Sequence, residues 1–258
     1  MKKRTIVLFA CLIIACILLV LNGTLFIVRD VEVYNWESGE MQDERIVELL
    51  GVKDKNIFTV SERIVRENIE KTLSRYKVVN VERVFPSVIK IVILERVPII
   101  AVKMTGGTYA VIDREGRVIE KSNSFENYTY DLTVLEGVTL GNVVAGEDLP
   151  VTDIVFARLM QIINTFETTG ENGYVGENFC KTVSNISFSG DDVSLKTCEG
   201  MVMQFDASSD CSNKIRALVS FFNNGQDPSG AQIARSTGVY TTGEKDDTGK
   251  YKIYKIED

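Results

Sequence analysis

The chain contains no histidine. That absence excludes Ser-His-Asp and Cys-His catalysis, imidazole-bound zinc and the usual neutral-pH switch. Carboxylates, basic side chains, hydroxyls and five cysteines remain. Glu95-Arg96 could be read as an acid–base pair, but beside Pro98 it reads as a structural or solvated pair at a strand end, where ion pairs carry little energy. Asp191-Asp192 are neighbours in a hairpin turn, so their carboxylates point apart and supply too few ligands for a cation. Gly141 and Gly146 bracket a loop that lacks the Lys-Ser/Thr of a phosphate-binding loop. Asn127-Tyr128-Thr129 fits a glycosylation sequon, a triplet common by chance. Cys180, Cys198 and Cys211 would need a fourth ligand to hold zinc. They leave room for one disulfide and a free thiol, or for three packed thiols, and spacing does not choose between these. The sequence therefore predicts no catalytic residue, no cofactor and no metal.

The amino terminus carries a different signal. Lys2, Lys3 and Arg4 stand together, and Thr5 to Val28 is free of charge. As a helix these 24 residues cover about 36 Å, enough to cross a hydrocarbon core of about 30 Å. The basic cluster holds the leading end in the cytoplasm, so everything after Val28 is expected outside. The apolar run is longer than that of a cleaved signal peptide, and no Ala-x-Ala follows it. Ile13-Ile14-Ala15-Cys16 resembles a lipoprotein box, but Ile17 to Leu21 stay apolar where a lipoprotein turns polar. An uncleaved anchor is the reading that fits. Removing residues 1–28, which carry +3, takes the net charge from −7 to −10. Such a body repels phosphate backbones, excludes nucleic acid as a partner, and is expected to stand away from the lipid.

The elements that follow are legible from periodicity. Arg29 to Tyr34 reads as a strand and Gln42 to Leu50 as a helix ended by Gly51. A second helix is capped by Ser61 and buries Val65, Ile69 and Leu73. Val78–Phe85 and Val88–Leu94 read as a hairpin turning at Pro86-Ser87, with Val79, Val81, Arg83 and Phe85 on one face. Together these make a two-layer α/β module. Beyond it, Tyr109–Asp113 and Arg117–Ile119 flank a turn at Gly116, and Thr133 to Leu135 is a strand. Asp153–Thr168 and Ser212–Phe222 are helices. Strands are expected at Val183–Ser189, Val193–Thr197, Met201–Phe205, Ile233–Arg235, Val239–Thr242 and Lys250–Ile256.

Val84-Phe85-Pro86-Ser87-Val88-Ile89-Lys90-Ile91 followed by Glu95-Arg96-Val97-Pro98 and Ala101 resembles the FtsQ/DivIB family of bacterial cell-division proteins. Arg83 and Pro86 fit that family's Arg-x-x-Pro turn, Asn56-Ile57-Phe58 its helix connector, and Asp113 with Gly116 its first β-domain hairpin. The resemblance implies an α+β protein: a single amino-terminal transmembrane helix, a small POTRA-type α/β domain, and a mostly antiparallel β domain with two supporting helices. The corresponding division is a cytoplasmic stub (1–4), an anchor (5–28), a POTRA domain (29–100) and a carboxy-terminal β domain (101–258). It implies a non-enzymatic, single-pass divisome scaffold at the septum, amino end inside, that binds small bitopic coiled-coil proteins of the FtsB/DivIC and FtsL type. Through them it would act indirectly on septal peptidoglycan synthases. In the family the partner adds to the last strand of the β domain. By order of elements that strand is Gly238-Val239-Tyr240-Thr241-Thr242, after Ile233 and Arg235, with Tyr240 as an anchor; Lys250–Ile256 is a second candidate edge. A reading of another class is an extracytoplasmic enzyme acting on cell-wall polymer through carboxylates, with the POTRA part for attachment. Its signature is two carboxyl groups in one cleft, about 5–10 Å apart.

Overall fold

Ile89, Ile91 and Ile93 are completely buried, and the strand that carries them organises the amino-terminal part of the chain. In a computed structural model, residues 2–40, 51–124, 128, 131–167, 177–224 and 237–256 are described. The chain divides into two units, residues 1–96 and 97–258, each with its own hydrophobic core.

The first unit begins with helix α1 (Lys2–Thr24). Over the described residues, no helix is long and apolar enough to cross a membrane. Strand β1 (Asp30–Asn35), helix α2 (Glu62–Thr72), β2 (Tyr76–Val84) and β3 (Val88–Glu95) follow. The sheet order is β1-β3-β2, with β1 parallel and β2 antiparallel to the central β3. The β-branched residues of β3 suit that central place. Helix α2 lays Val65 and Ile69 on the sheet, which closes a two-layer core. Ser61 occupies the N-cap position, yet its side chain makes no capping hydrogen bond. The helix expected over residues 42–50 lies outside the described residues.

One expectation for β2 is corrected. Val79 does not share the face of Val81 and is 39% exposed, while Phe85 lies beyond the end of β2 and is 55% exposed. The pairing with β3 shifts between Val78 and Asn80. An extra residue at a bulge reverses the inward–outward alternation, so Val78 is core before it and Val81 packs on the core after it.

The second unit is one nine-stranded sheet with helices. Its strands are β4 (Pro98–Lys103), β5 (Tyr109–Asp113), β6 (Val118–Ser122), β7 (Thr133–Glu136), β8 (Val183–Ser189), β9 (Asp192–Thr197), β10 (Val202–Asp206), β11 (Val239–Lys245) and β12 (Tyr251–Ile256). They lie in the order β12-β11-β10-β9-β8-β7-β4-β5-β6. Most neighbours are antiparallel, while β7 runs parallel to both β4 and β8, and β10 runs parallel to β11. Because β4 begins at Pro98, residues 98–100 belong to this sheet, and the break between units falls after Arg96.

Among the described residues three helices accompany this sheet where two were expected: α3 (Asp153–Glu167), the short α4 (Glu177–Thr182) and α5 (Cys211–Asn224). The apolar stripes of α3 (Leu159, Ile162, Ile163) and α5 (Ile215, Leu218) are fully buried with Leu135, Ile186, Leu195 and Met203 of the sheet. In β9 and β10 the alternate residues Ser194 and Gln204 stay on the other, wetter face. That alternation is what a half-covered antiparallel sheet requires.

Candidate functional site

A sheet edge keeps unused backbone N–H and C=O groups, so the first question is which strand of the second unit is outermost. β11 is not. Val202, Met203 and Gln204 pair with Val239, Tyr240 and Thr241 on one side, and Ile256, Lys255 and Tyr254 pair with the same three on the other. The segment expected to end the sheet, Gly238–Thr242, therefore lies inside it. β11 runs on through a bulge to Lys245, and the Asp246–Gly249 turn returns the chain as β12. Asp246 builds that turn, its Oδ1 accepting the N–H groups of Thr248 (2.8 Å) and Lys250 (3.0 Å). Among the described residues β12 is the terminal strand on this side of the sheet, and β6 ends it on the other.

The individual residues follow from this pairing. Tyr240 is buried with its ring 5.0 Å from that of Phe221 on α5, so it is a core residue and not an exposed anchor. Val239 is half-buried, and the Gly238 carbonyl accepts the Val202 N–H at 3.0 Å. Thr241 and Thr242 line a shallow concavity on the polar face with Ser194, Gln204 and Asp206. Ile233 and Arg235 lie outside the described residues. On β12, Ile253 points into the core, while Lys252, Tyr254 and Ile256 are exposed. The Tyr254 ring covers Gly243 of β11 so closely that any Cβ there would overlap it.

The β11–β12 hairpin is stapled to the start of α5 by Asp210, which the sequence reading passed over. Its Oδ2 accepts from the Tyr251 hydroxyl at 2.8 Å and pairs with Lys245 Nζ at 2.7 Å, and its Oδ1 accepts from Asn213 at 2.6 Å. The hydrogen bonds from Lys245 and then Tyr251 hold the Asp210 carboxyl down to about 2. The same bond raises Lys245. The visible signal was an Asp immediately before an apolar-periodic helix, a usual N-terminal sign.

Carboxylates were the mark of the enzymatic reading. Asp192 and Asp206 are cross-strand partners, and both line the concavity. Asp206 is held down to about 2, chiefly by hydrogen bonds from the Ser208 hydroxyl and N–H, with Lys214 adding to them. A general acid for glycoside cleavage needs the opposite shift, so this pair contains no acid at Asp206. Among the described residues no cluster of His, Cys, Asp and Glu could hold a metal ion.

The remaining motif residues are structural in position. Arg83 donates from Nε to the Ile57 carbonyl (3.1 Å) and from Nη2 to the Val60 carbonyl (2.8 Å). Pro86 follows a cis peptide bond at the β2–β3 turn. The Glu95-Arg96 pair is corrected: Glu95 is exposed, while Arg96 turns inward and its Nη2 meets Glu70 Oε2 of α2 at 3.0 Å. Glu70 Oε1 also accepts the Val78 N–H at 3.0 Å. Glu70 could have been suspected from its place beside Ile69, on the edge of the apolar stripe. Pro98 opens β4, a position that needs no N–H donor. Asp113 Oδ1 accepts the N–H groups of Glu115 and Arg117, both at 2.9 Å, which shapes the β5–β6 turn. Gly116 sits there at φ +81°, against the Phe156 ring, where a Cβ would be both strained and obstructed.

The family model for the POTRA domain, FtsQ-type, matches residues 27–96. Residues 27–96 are an FtsQ-type POTRA domain. The match ends where the first structural unit ends, and it supports an FtsQ/DivIB-family protein, as the motifs around Pro86 and Pro98 imply. A search of the curated proteins returns no match. In this POTRA domain Arg83 and Arg96 are both committed to holding the fold, one to the connector and one to α2. Cys180, Cys198 and Cys211 are free thiols. Cys180 donates to the Ile99 carbonyl at 3.2 Å, and Cys198 to the Cys180 carbonyl at 3.7 Å. Burial pushes the Cys198 and Cys211 thiols up, which makes both weak nucleophiles.

Proposed function

We propose that the chain is a membrane-anchored scaffold of bacterial cell division whose outer β domain captures a partner by strand addition along β12. The FtsQ-type POTRA domain suggests a division scaffold of a generally non-enzymatic family. The observation that carries the finer reading is the terminal position of β12 in a nine-stranded sheet. A rigid strand with its outer N–H and C=O groups unused by the sheet is the template that β-augmentation needs. The Asp210 staple supplies the rigidity, and Lys252 and Lys255 favour an acidic strand over another copy of β12. The partners in this reading are extended outer segments of FtsB/DivIC-type and FtsL-type proteins, through which the chain acts on septal peptidoglycan synthesis.

The anchor is part of the same proposal. Thr5 to Val28 is uncharged in the sequence, and α1 spans 23 residues of one continuous helix. With Lys2, Lys3 and Arg4 inside, the POTRA and β domains lie on the outer side, in a single-pass protein of the cell membrane.

Proline substitutions test the edge. Along an edge strand successive N–H groups face alternately inward and outward. Of Tyr254→Pro and Lys255→Pro, one removes a ladder bond to β11 and the other removes only an outward donor. The outward one is expected to abolish co-purification with the FtsB/DivIC-type partner from detergent-solubilised membranes while leaving the melting temperature unchanged. Full partner recovery with both variants would sink the β12 assignment.

A further inference from the structure

Phe26, Phe58 and Phe85 come from three separate segments: the stretch after α1, the Asn56–Thr59 turn and the β2–β3 turn. Their ring centroids are 5.0 Å (Phe26–Phe58), 5.4 Å (Phe58–Phe85) and 6.3 Å (Phe26–Phe85) apart. Three mutually packed phenylalanines normally belong to a core. Here Phe58 is 56% exposed, Phe85 55%, and Leu25 beside Phe26 is 42% exposed. The backbone holds them in this position. The Ile57 N–H donates to the Phe26 carbonyl at 2.8 Å, Asn56 Oδ1 accepts the Phe58 N–H at 3.0 Å, and Arg83 grips the Ile57 and Val60 carbonyls. The domain thus presents a fixed aromatic face to its surroundings.

Chain connectivity identifies what that face meets. Phe26 follows the last residue of α1 by two positions, a reach of at most about 7 Å. It also lies inside the charge-free run that ends at Val28. If α1 is the anchor, as proposed above, Phe26 stands at the outer boundary of the hydrocarbon, and ring contact puts Phe58 and Phe85 at the same depth. The Arg29 N–H donates to the Ser87 carbonyl at 2.8 Å, which fixes the β2–β3 turn at this end of the sheet. Arg29, Lys53 and Lys55 are exposed around it, with Asp30 and Asp54 between them. Aromatic rings with basic neighbours suit the headgroup level.

We infer that the POTRA domain seats this aromatic face in the outer headgroup–acyl boundary, so that anchor and domain engage the bilayer together. The expectation that the outer body stands away from the lipid came from its total charge. The local face is apolar with three basic and two acidic residues on its rim, and it is tethered where total charge has little say. The occupant is lipid because the covalent tether already brings the rings to it. The inference rests on the anchor reading, and the experiment separates the two.

The full chain, carrying Trp36→Phe, is reconstituted in phosphatidylcholine–phosphatidylglycerol vesicles whose acyl chains are brominated either just below the headgroups or near the bilayer centre. One tryptophan is introduced in turn by Phe58→Trp, Phe85→Trp or Ile14→Trp, and the wild-type chain reports on Trp36. Trp36 follows β1, which extends about 17 Å from Asp30. The expected result is loss of emission from Phe58→Trp and Phe85→Trp with shallow bromine, from Ile14→Trp with deep bromine, and little loss from Trp36. Unquenched probes at 58 and 85 beside a quenched Ile14→Trp would overturn the docking and leave the anchor standing. That result would make a protein the occupant of the face. An unquenched Ile14→Trp would overturn both.

Discussion

In each unit of the molecule a close carboxylate–cation contact ties a helix, or the residue that opens it, to the sheet, and the surroundings of Glu70–Arg96 and Asp210–Lys245 differ. In the POTRA domain Glu70 and Arg96 meet at 3.0 Å with side chains only 7% and 3% exposed. In the β domain Asp210 and Lys245 meet at 2.7 Å with side chains 30% and 46% exposed. Distance alone would rank the second contact above the first. Desolvation reverses the order of consequence, because removing one partner of the buried pair strands a charge away from water, whereas the exposed partner is rehydrated. The family-motif residue Arg96 is therefore a structural residue of the POTRA core. The Asp210 contact is a half-exposed one that ties the β11–β12 hairpin to the residue before α5.

The largest effect should come from the buried side of this comparison. Glu70→Ala is expected to destabilise the POTRA domain by about 3–5 kcal/mol, read as lost hydrogen-exchange protection in α2 and β3, with the β-domain amides unchanged. A cost below about 1 kcal/mol would mean that Arg96 reaches water, and the contrast with Asp210 would collapse. Next comes Arg83, whose guanidinium bridges two carbonyls of the connector. Arg83→Ala should cost roughly 1.5–3 kcal/mol, the range for hydrogen bonds to charged groups. Arg83→Lys should recover little of it, because an ammonium lacks the fork that reaches both oxygens. Urea unfolding followed at Trp36 measures both variants.

The sequence made the POTRA layer order, the β2–β3 hairpin and both long helices of the β domain readable, since each rests on local periodicity or a turn residue such as Gly116. Features that depend on which strand lies beside which were not readable. Nothing in Val239–Thr242 reveals that β10 will run parallel beside it and β12 antiparallel on the other side, so order of elements alone made it look like the last strand. The same limit hid the partner of Arg96. Glu95 is adjacent in sequence, but successive residues of a strand face opposite sides, and the matching carboxylate came from α2, 26 residues earlier. The bulge at Val78–Asn80 is a third case, because one inserted residue exchanged the faces of β2 without leaving a glycine or proline to mark it.

The smallest expected effect belongs to Asp210, and its sign is fixed by the direction of its shift. Its carboxyl is held at about 2 in the folded protein, by the Lys245 and Tyr251 hydrogen bonds first, against an ordinary value of 3.8. A depressed folded pKa contributes stability that is fully present above the unfolded value and is lost as pH falls through the folded one. The β11–β12 hairpin should therefore hold steady above pH 4 and loosen between pH 4 and 2. Asp206, held at about 2 by Ser208 and Lys214, loosens in the same window at the start of α5. Asp210→Asn separates the two contributions: it removes the charge but keeps an oxygen able to accept from Tyr251. The acid loosening of β12 amides, followed by hydrogen exchange, should then shrink to what Asp206 supplies, because the variant already shows at neutral pH the part that protonating Asp210 produces in the wild type. A full-sized transition in the variant would show that the staple takes no part in holding the edge. A loss at neutral pH well beyond the wild type's own acid loosening would show that this exposed contact behaves like the buried one, against the desolvation argument that sets the two units apart.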